Sequence, residues 1–210
     1  MPDNLAVLGT SVFDSCTGLT QMDINNTQLT VISDNTFNRC TNLTIDGETI
    51  DCLVETIGNN AFDYCEKLVL NFNDMDAANR LKTVMYCGFG HTPALNIDNF
   101  PSSIEEIGGQ GFGSISGAGG ILSCNTIPKT VKKIGNSAFM FRTLSAENQG
   151  ILIIENPDIE LDPNAFWYLA GVKEIWVPTS IDVKTAPWNN ETCFGCSTHS
   201  PGVIIKNNPN

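Results

Sequence analysis

The residues with the clearest chemical potential lie near the C-terminal end, where Cys193-Phe-Gly-Cys196 is followed by His199. Two thiols and an imidazole at that spacing suit zinc or redox chemistry only in the right surroundings. Zinc needs a fourth ligand and usually a second paired motif, and none is spaced nearby. A redox CxxC needs a thioredoxin-like βαβ context, which the flanking pattern lacks. The cluster reads as a disulfide or as two packed thiols. Asn71-Phe-Asn-Asp-Met-Asp76 offers oxygen ligands to calcium but lacks the glycine and distal glutamate of an EF-hand loop, so it reads as a solvated turn. The two histidines, His91 and His199, belong to no Ser/His/Asp set, and no Gly-rich phosphate pattern is present. No catalytic residue, metal or cofactor is therefore assigned. Asn25, Asn42 and Asn190 head N-x-T sequons, which matter only in a eukaryotic secretory host.

What positions these residues is a repeat. Val54 to Leu68, VETIGNNAFDYCEKL, places apolar residues at Val54, Ile57, Phe62, Cys65 and Leu68. The same offsets give Leu5, Leu8, Phe13, Cys16 and Leu19, then Leu29, Ile32, Phe37, Cys40 and Leu43. They continue through Leu81, Val84, Phe89, Thr92 and Leu95, and through Ile104, Ile107, Phe112, Ile115 and Ala118. Weaker copies surround Phe139 and Phe166. The seven phenylalanines are separated by 24, 25, 27, 23, 27 and 27 residues. A period in that range marks a solenoid, in which no unit buries its apolar face alone.

Composition narrows the partners. A net charge of -12 with only 11 Lys+Arg disfavours nucleic acid and anionic membranes. No run approaches the roughly 18 apolar residues of a membrane span, so no membrane insertion is expected. Asn, Thr and Ser replace many charges and suit short strands joined by tight turns. Met1-Pro2-Asp3 has no signal-peptide character. The first repeat starts at Leu5 without the polar cover that solenoid ends need, which predicts a piece of a longer chain.

The residues after each last ladder position alternate and are β-rich: Leu43-Thr-Ile45, Leu68 to Phe72, Leu95 to Asp98 and Val172 to Val177. They predict one strand per unit, with a second extended piece such as Val54 to Ile57 or Val131 to Ile134. NNAFDYC and NSAFMF are too short for stable helices and predict single helical or 3₁₀ turns that drive the phenylalanine inward. Cys16, Cys40 and Cys65 share a position that elsewhere holds Ile115 and Leu169. They predict a column of buried, reduced thiols, since buried cysteine behaves as a small hydrophobe. Gly108 to Gly120, and residues 142–150 with Arg142 and Ser145 at apolar positions, interrupt the pattern; insertions of this kind map to loops. Residues 1–179 form the array, and residues 180–210 a C-terminal cap ending in a strand at Val203 to Ile205.

Alternation also sets an outward row. With Ile45, Leu70, Ile97 and Ile175 inside, Asp46, Asn71, Asn96, Asp98, Glu174 and Trp176 face out, and Asp23 joins them from the first unit. The result is a polar, acidic strip with one large aromatic, read either as a solubilising face or as a surface for protein or carbohydrate, since Trp dominates contact energy.

The unit L/V-x-x-I-G-x-x-A-F-x-x-C-x-x-L resembles the BspA-like (treponemal-type) leucine-rich repeat. The match runs from about Leu5 to Pro178, best in residues 29–45, 54–70 and 131–139, the last preceded by Ile127-Pro-Lys-Thr. The tail IWVPTSIDVKTAPWNN looks like the stretch that often closes such arrays in bacterial surface and phage-type tail proteins. Departures are Thr92 for Cys, Gly111 for Ala and the degenerate sixth unit. The resemblance implies a leucine-rich-repeat solenoid: a right-handed superhelix of about seven repeats with a parallel sheet on its concave side. It implies a non-enzymatic, extracellular or cell-surface role in recognition or adhesion, with a protein or glycan ligand. The alternatives are a structural spacer, a phage tail-associated receptor-binding domain and, more distantly, a glycan-active enzyme.

Overall fold

The computed structural model describes residues 1–25, 27–50, 53–72, 80–114, 119–184 and 203–209. Over these the chain is a parallel β-solenoid: every strand pairing among the described residues is parallel. Helix is confined to two 3₁₀ turns, Asp46–Glu48 and Ala146–Asn148, among the described residues.

The longest sheet joins Val31–Ile32, Thr56–Ile57, Thr83–Val84, Glu106–Ile107, Lys133–Ile134 and Glu160–Leu161, one strand from each successive coil. The register aligns Ile32, Ile57, Val84, Ile107, Ile134 and Leu161 in one column. The first five of these are fully buried while the preceding residue faces outward. This sheet is the second extended piece of each unit. The stretches expected to carry the main strand are fragmented instead. Thr44–Ile45 and Glu174–Val177 are strands, Ile97 makes only an isolated bridge to Leu122, and no strand forms in 68–72.

The NNAFDYC segments are turns, but neither helical nor 3₁₀. In the third coil Asn60 and Tyr64 adopt left-handed φ of 51° and 58°. The N–H groups of Asn60, Phe62 and Tyr64 donate to the carbonyls of Tyr86, Gly88 and Gly90 in the next coil. Those of Ala61, Asp63 and Cys65 donate three residues back within their own coil. A helix would use both sets internally and leave the coils unlinked. The same pair of left-handed residues flanks Phe13, Phe37, Phe89, Phe139 and Phe166.

Each such turn aims its phenylalanine inward, and the seven rings form one column. Successive centroids lie 5.4, 5.2, 5.3, 5.4, 6.0 and 5.8 Å apart, with interplanar angles no greater than 14°. That is within the range of favourable aromatic pairs. Phe72 and Phe100 meet the column edge-on, at 6.0 to 6.3 Å from Phe89, Phe112 and Phe139.

Beside the rings, Cys40 and Cys65 are fully buried free thiols, donating to the carbonyls of Phe13 and Phe37 at 3.0 and 3.1 Å. Cys16 is free but exposed, contrary to the expected buried column. It lies in the first coil, and among the described residues only the coil of Cys40 packs against it. Thr92 takes the same position with its hydroxyl donating to the Phe89 carbonyl. Cys52, Cys193, Cys196, His199, Asp74 and Asp76 lie outside the described residues. The C-terminal strand is Ile204–Asn207, starting one residue later than expected and adding a fourth strand beside Glu174–Val177.

Arg142, expected only as a break in the pattern, is 1% exposed and sits in the same column as Cys65 and Thr92. Its Nε donates to the Phe112 carbonyl at 2.7 Å, one Nη to the Leu95 carbonyl, and the other Nη to Thr92 Oγ1 at 3.1 Å. One guanidinium therefore links three coils, and burial pushes its pKa down to about 10. The glycine-rich stretch makes room for it. A Cβ on Gly120 would collide with the Leu95 carbonyl and come within 2.5 Å of an Arg142 Nη.

Three outcomes are expected. Phe62→Ala should cost about 3–5 kcal/mol of unfolding free energy, whereas exposed Lys67→Ala should stay within about 0.5 kcal/mol; equal shifts in urea midpoint would refute a core built on the ring column. Arg142→Met should cost about 3 kcal/mol or more, at roughly 1–3 per orphaned carbonyl; a loss under about 1 would mean that the contacts are incidental. The third outcome concerns pH. Burial raises the thiol of Cys40 to about 11 and those of Cys87 and Cys124 to about 12, from 9.0. Above 9.0 the unfolded chain releases these protons first, so stability present below that pH falls as pH rises towards 11. Urea titrations on either side of the window should show the fall, and Cys40→Val should flatten it; an unchanged slope would count against a buried thiol there.

Candidate functional site

The outward residues of the broken strands occupy two strips rather than one. On the first, Gln21 is in register with Thr44, Ile97 with Leu122, and Ile121–Leu122 with Thr143–Leu144. Thr44, Asn96 and Thr143 face solvent here, together with the exposed apolar Ile121, while Ile45, Ile97, Leu122 and Leu144 are buried. On the second, Thr126, Ile153, Trp176 and Lys206 are in register across four strands. Ile121–Leu122 and Thr126–Ile127 fall in the same coil, so the strips are separate walls, turned against each other by the residues between them. Asp23, Asp46 and Asp98 follow the strands of the first strip; Glu174 and Trp176 belong to the second.

The acidic members are engaged in different ways. Asp23 is exposed, its Oδ1 accepting from the Asn25 N–H at 2.9 Å. Asp46 is exposed, its Oδ1 accepting from Gln21 Nε2 at 3.2 Å and its carbonyl from Asn25 Nδ2 at 3.0 Å. Asn71 is half-buried and donates its N–H to the Glu48 carbonyl at 2.8 Å. Asn96 Oδ1 accepts the Ile121 N–H at 3.1 Å, one coil ahead, and Asp98 Oδ1 accepts the Phe72 N–H at 3.3 Å, one coil behind. These two side chains stitch neighbouring coils where the strand ladder is broken. Gln21, Thr44, Asp46, Glu48 and Val69 line a shallow depression of about 510 Å³.

On the second strip, Glu174 Oε2 accepts from Lys206 Nζ at 2.7 Å and from Trp176 Nε1 at 2.8 Å. Lys206, and then the indole N–H, hold the Glu174 carboxyl below the usual range. Lys206 Nζ also lies 5.3 Å from the centre of the Trp176 ring, close enough for a cation–π contact. The indole is half-buried, with its polar atom engaged and a cation over its ring. Ile151 and Ile153 are half-buried on the outward side of the same sheet, and Ile204 is 57% exposed. The cluster combines apolar area with a fixed ion pair. A neighbouring depression of about 430 Å³ is bounded by Lys129, Ile153, Glu155, Pro178 and Asn208.

One polar pair escaped the sequence reading. His91 Nδ1 lies 2.6 Å from Asp63 Oδ1, and both residues are buried. The imidazole stacks on Tyr64 with centroids 4.1 Å apart, and Arg39 lies over the Tyr64 ring at 5.6 Å. All three ring-stack members occur two residues after a column phenylalanine, the spacing that would have paired them. The His91 Nε2 is enclosed and has no hydrogen-bond partner among the described residues. No group of three His, Cys, Asp or Glu suited to a metal occurs among the described residues. Among them, no helix is long and apolar enough to cross a membrane.

No curated protein matches the sequence. Among solved structures, a leucine-rich repeat protein from Bacteroides ovatus ATCC 8483 is 14% identical, over 96% of this chain and 64% of that one, with a TM-score of 0.37. The chain thus spans about 64% of that protein's length. The family described as BspA type leucine-rich repeat region matches in six copies, over residues 1–69 and 69–195. With the stacked coils and the repeating phenylalanine turn already in view, the chain belongs to the BspA-type leucine-rich-repeat family.

Proposed function

We propose that the array is a non-enzymatic recognition or adhesion module, secreted or displayed at a cell surface, whose outward strand strips bind a protein or glycan. Membership in a repeat family associated with protein interaction supports the general role. The observation that carries the specific reading is the Trp176 cluster. An outward indole flanked by Ile153, Lys206 and Glu174 has the make-up of a contact centre, because aromatic anchors dominate binding energy. Asp23, Asp46, Asn71, Asn96 and Asp98 supply polar contacts along the adjoining strip. A second reading, a spacer that holds another domain off a surface, is favoured by one observation: Asn96 and Asp98 use their acceptors to join coils. A phage tail-associated receptor-binding domain is a variant of the first reading, differing in the parent particle and not in the face used.

Trp176→Ala and Asp46→Ala should leave the urea midpoint within about 1 kcal/mol of the parent. On an array of glycans and surface proteins, Trp176→Ala should weaken any ligand by about 2 kcal/mol, roughly thirty-fold. A ligand bound equally by parent and both variants, or a parent that binds nothing, would favour the spacer. Hydrolysis of a glycan that vanishes when one acidic pair is changed would reopen an enzymatic role.

A further inference from the structure

Where the long sheet turns into the phenylalanine segments, one aromatic side chain stands on the surface: Tyr86, 51% exposed. Backbone bonds between coils fix its place. The Asn60 N–H donates to the Tyr86 carbonyl, the Cys87 N–H to that of Gly109, and the Gln110 N–H to that of Asn136. Asn59, Tyr86, Gly109 and Asn136 therefore follow one another along the axis, one per coil. Gly109 leaves the position ahead of the tyrosine without a side chain, and a Cβ there would lie 3.4 Å from Tyr86 Cδ2. The ring accordingly leans over the Gly109 backbone and leaves the rest of its surface to solvent. No cation and no second ring contacts it among the described residues, whereas the Trp176 ring has Lys206 over it.

The groups around the ring are amides with hydrogen-bonding capacity to spare. Asn59 Nδ2 donates to Asp34 Oδ2 and Asn60 Nδ2 to Asn35 Oδ1, and neither amide oxygen of Asn59 and Asn60 accepts a bond among the described residues. Gln110 Oε1 accepts the Cys87 thiol at 3.4 Å, and its Nε2 donates to nothing among them. Net charge is scarce here. Both carboxylate oxygens of Asp34 are taken by Asn59, and Glu106 is in register with Lys133. A flat aromatic face bordered by neutral donors and acceptors matches the chemistry of a pyranose. That molecule has a face of C–H groups and a rim of hydroxyls, each of which donates and accepts. A polypeptide would seek a strand edge or an apolar groove, and on this wall the backbone groups are spent on neighbouring coils.

We infer that Tyr86 is the platform of a glycan-binding site on this wall, separate from the Trp176 strip, and that it takes a neutral hexopyranose of a linear glycan. The sugar lays its C–H face on the ring, whose π-face is negative. Its hydroxyls meet the free oxygens of Asn59 and Asn60 and the free N–H groups of Gln110. At the ring column these coils succeed one another at 5.3 to 6.0 Å, a step close to the length of one pyranose in an extended chain. A glycan running along the axis thus sets its neighbouring sugars towards Asn59 on one side and exposed Asn136 on the other.

Saturation-transfer difference NMR on the full chain tests this, with cello-, laminari- and manno-oligosaccharides as neutral probes and oligogalacturonate as the anionic one. Irradiating the aromatic protons should saturate the ring C–H protons of at least one neutral probe and spare the oligogalacturonate. Tyr86→Phe keeps the ring and should hold the affinity within about threefold, while Tyr86→Ala and Tyr86→Leu should lower it about tenfold or more, as removal of an aromatic anchor does. All three variants should keep the urea midpoint of the parent. Should Tyr86→Ala fail to fold, Tyr86→Leu decides, since it retains apolar bulk without the ring. Trp176→Ala should leave sugar binding unchanged, which separates this site from the strip. The inference is overturned by no transfer to any neutral probe, by tighter binding of oligogalacturonate, or by an affinity that survives Tyr86→Leu. A loss on Trp176→Ala as large as on Tyr86→Leu, or a proline-rich peptide bound at Tyr86 in place of any sugar, would overturn it equally.

Discussion

Each coil of this solenoid leaves alternate backbone N–H groups of its phenylalanine turn for the next coil. Asn60, Phe62 and Tyr64 cannot be satisfied without Tyr86, Gly88 and Gly90, and the same holds along the array. Buried backbone donors left unpaired are costly, so the turn geometry exists only where coils stack. Everything else follows from that dependence. The left-handed residues on either side of six of the seven phenylalanines, and before Phe112, turn the chain so that donors point along the axis. The ring is then driven inward, and rings in successive coils stack because the backbone bonds fix their separation. Strands of two residues suffice because each is held by its neighbours rather than by its own length.

The ring column was legible from sequence because phenylalanine is large, apolar and repeated at nearly constant spacing. The wall that carries the long sheet was harder to read. Two-residue strands such as Thr56–Ile57 contain one outward and one inward residue, too few to show alternation. The longer β-rich stretch from Leu68 to Phe72 shows alternation clearly and forms no strand. Phe72 instead turns edge-on to the column, a second aromatic set that appears only twice and so leaves no period. The separation of Trp176 from Asn96 has the same origin. A corner separates Thr143–Leu144 from Ile151–Ile154, as one separates Ile121–Leu122 from Thr126–Ile127, and a side chain assigned by alternation alone cannot register a corner.

Arg142 was the clearest departure from the pattern and the most informative. Read alone, a cation at an apolar position suggests a degenerate unit. Three other departures, Thr92 in place of cysteine and the glycines at 119 and 120, turn out to be its complement. Thr92 offers a hydroxyl acceptor and Gly120 leaves the space. Coupled exceptions fifty residues apart are invisible to a search for periodicity, since each weakens the repeat it sits in.

The guanidinium has a consequence for how such a chain can change over generations. Repeat arrays lengthen and shorten by gain and loss of whole units, a route open as long as each unit contacts only its immediate neighbours. Arg142 reaches 30, 47 and 50 residues back, to Phe112, Leu95 and Thr92. Excising or duplicating the unit around Phe112 would strand the cation opposite the wrong carbonyls. A unit gained or lost between Thr92 and Arg142 would therefore part the guanidinium from its acceptors, whereas one gained or lost before Leu81 would leave all three contacts in place.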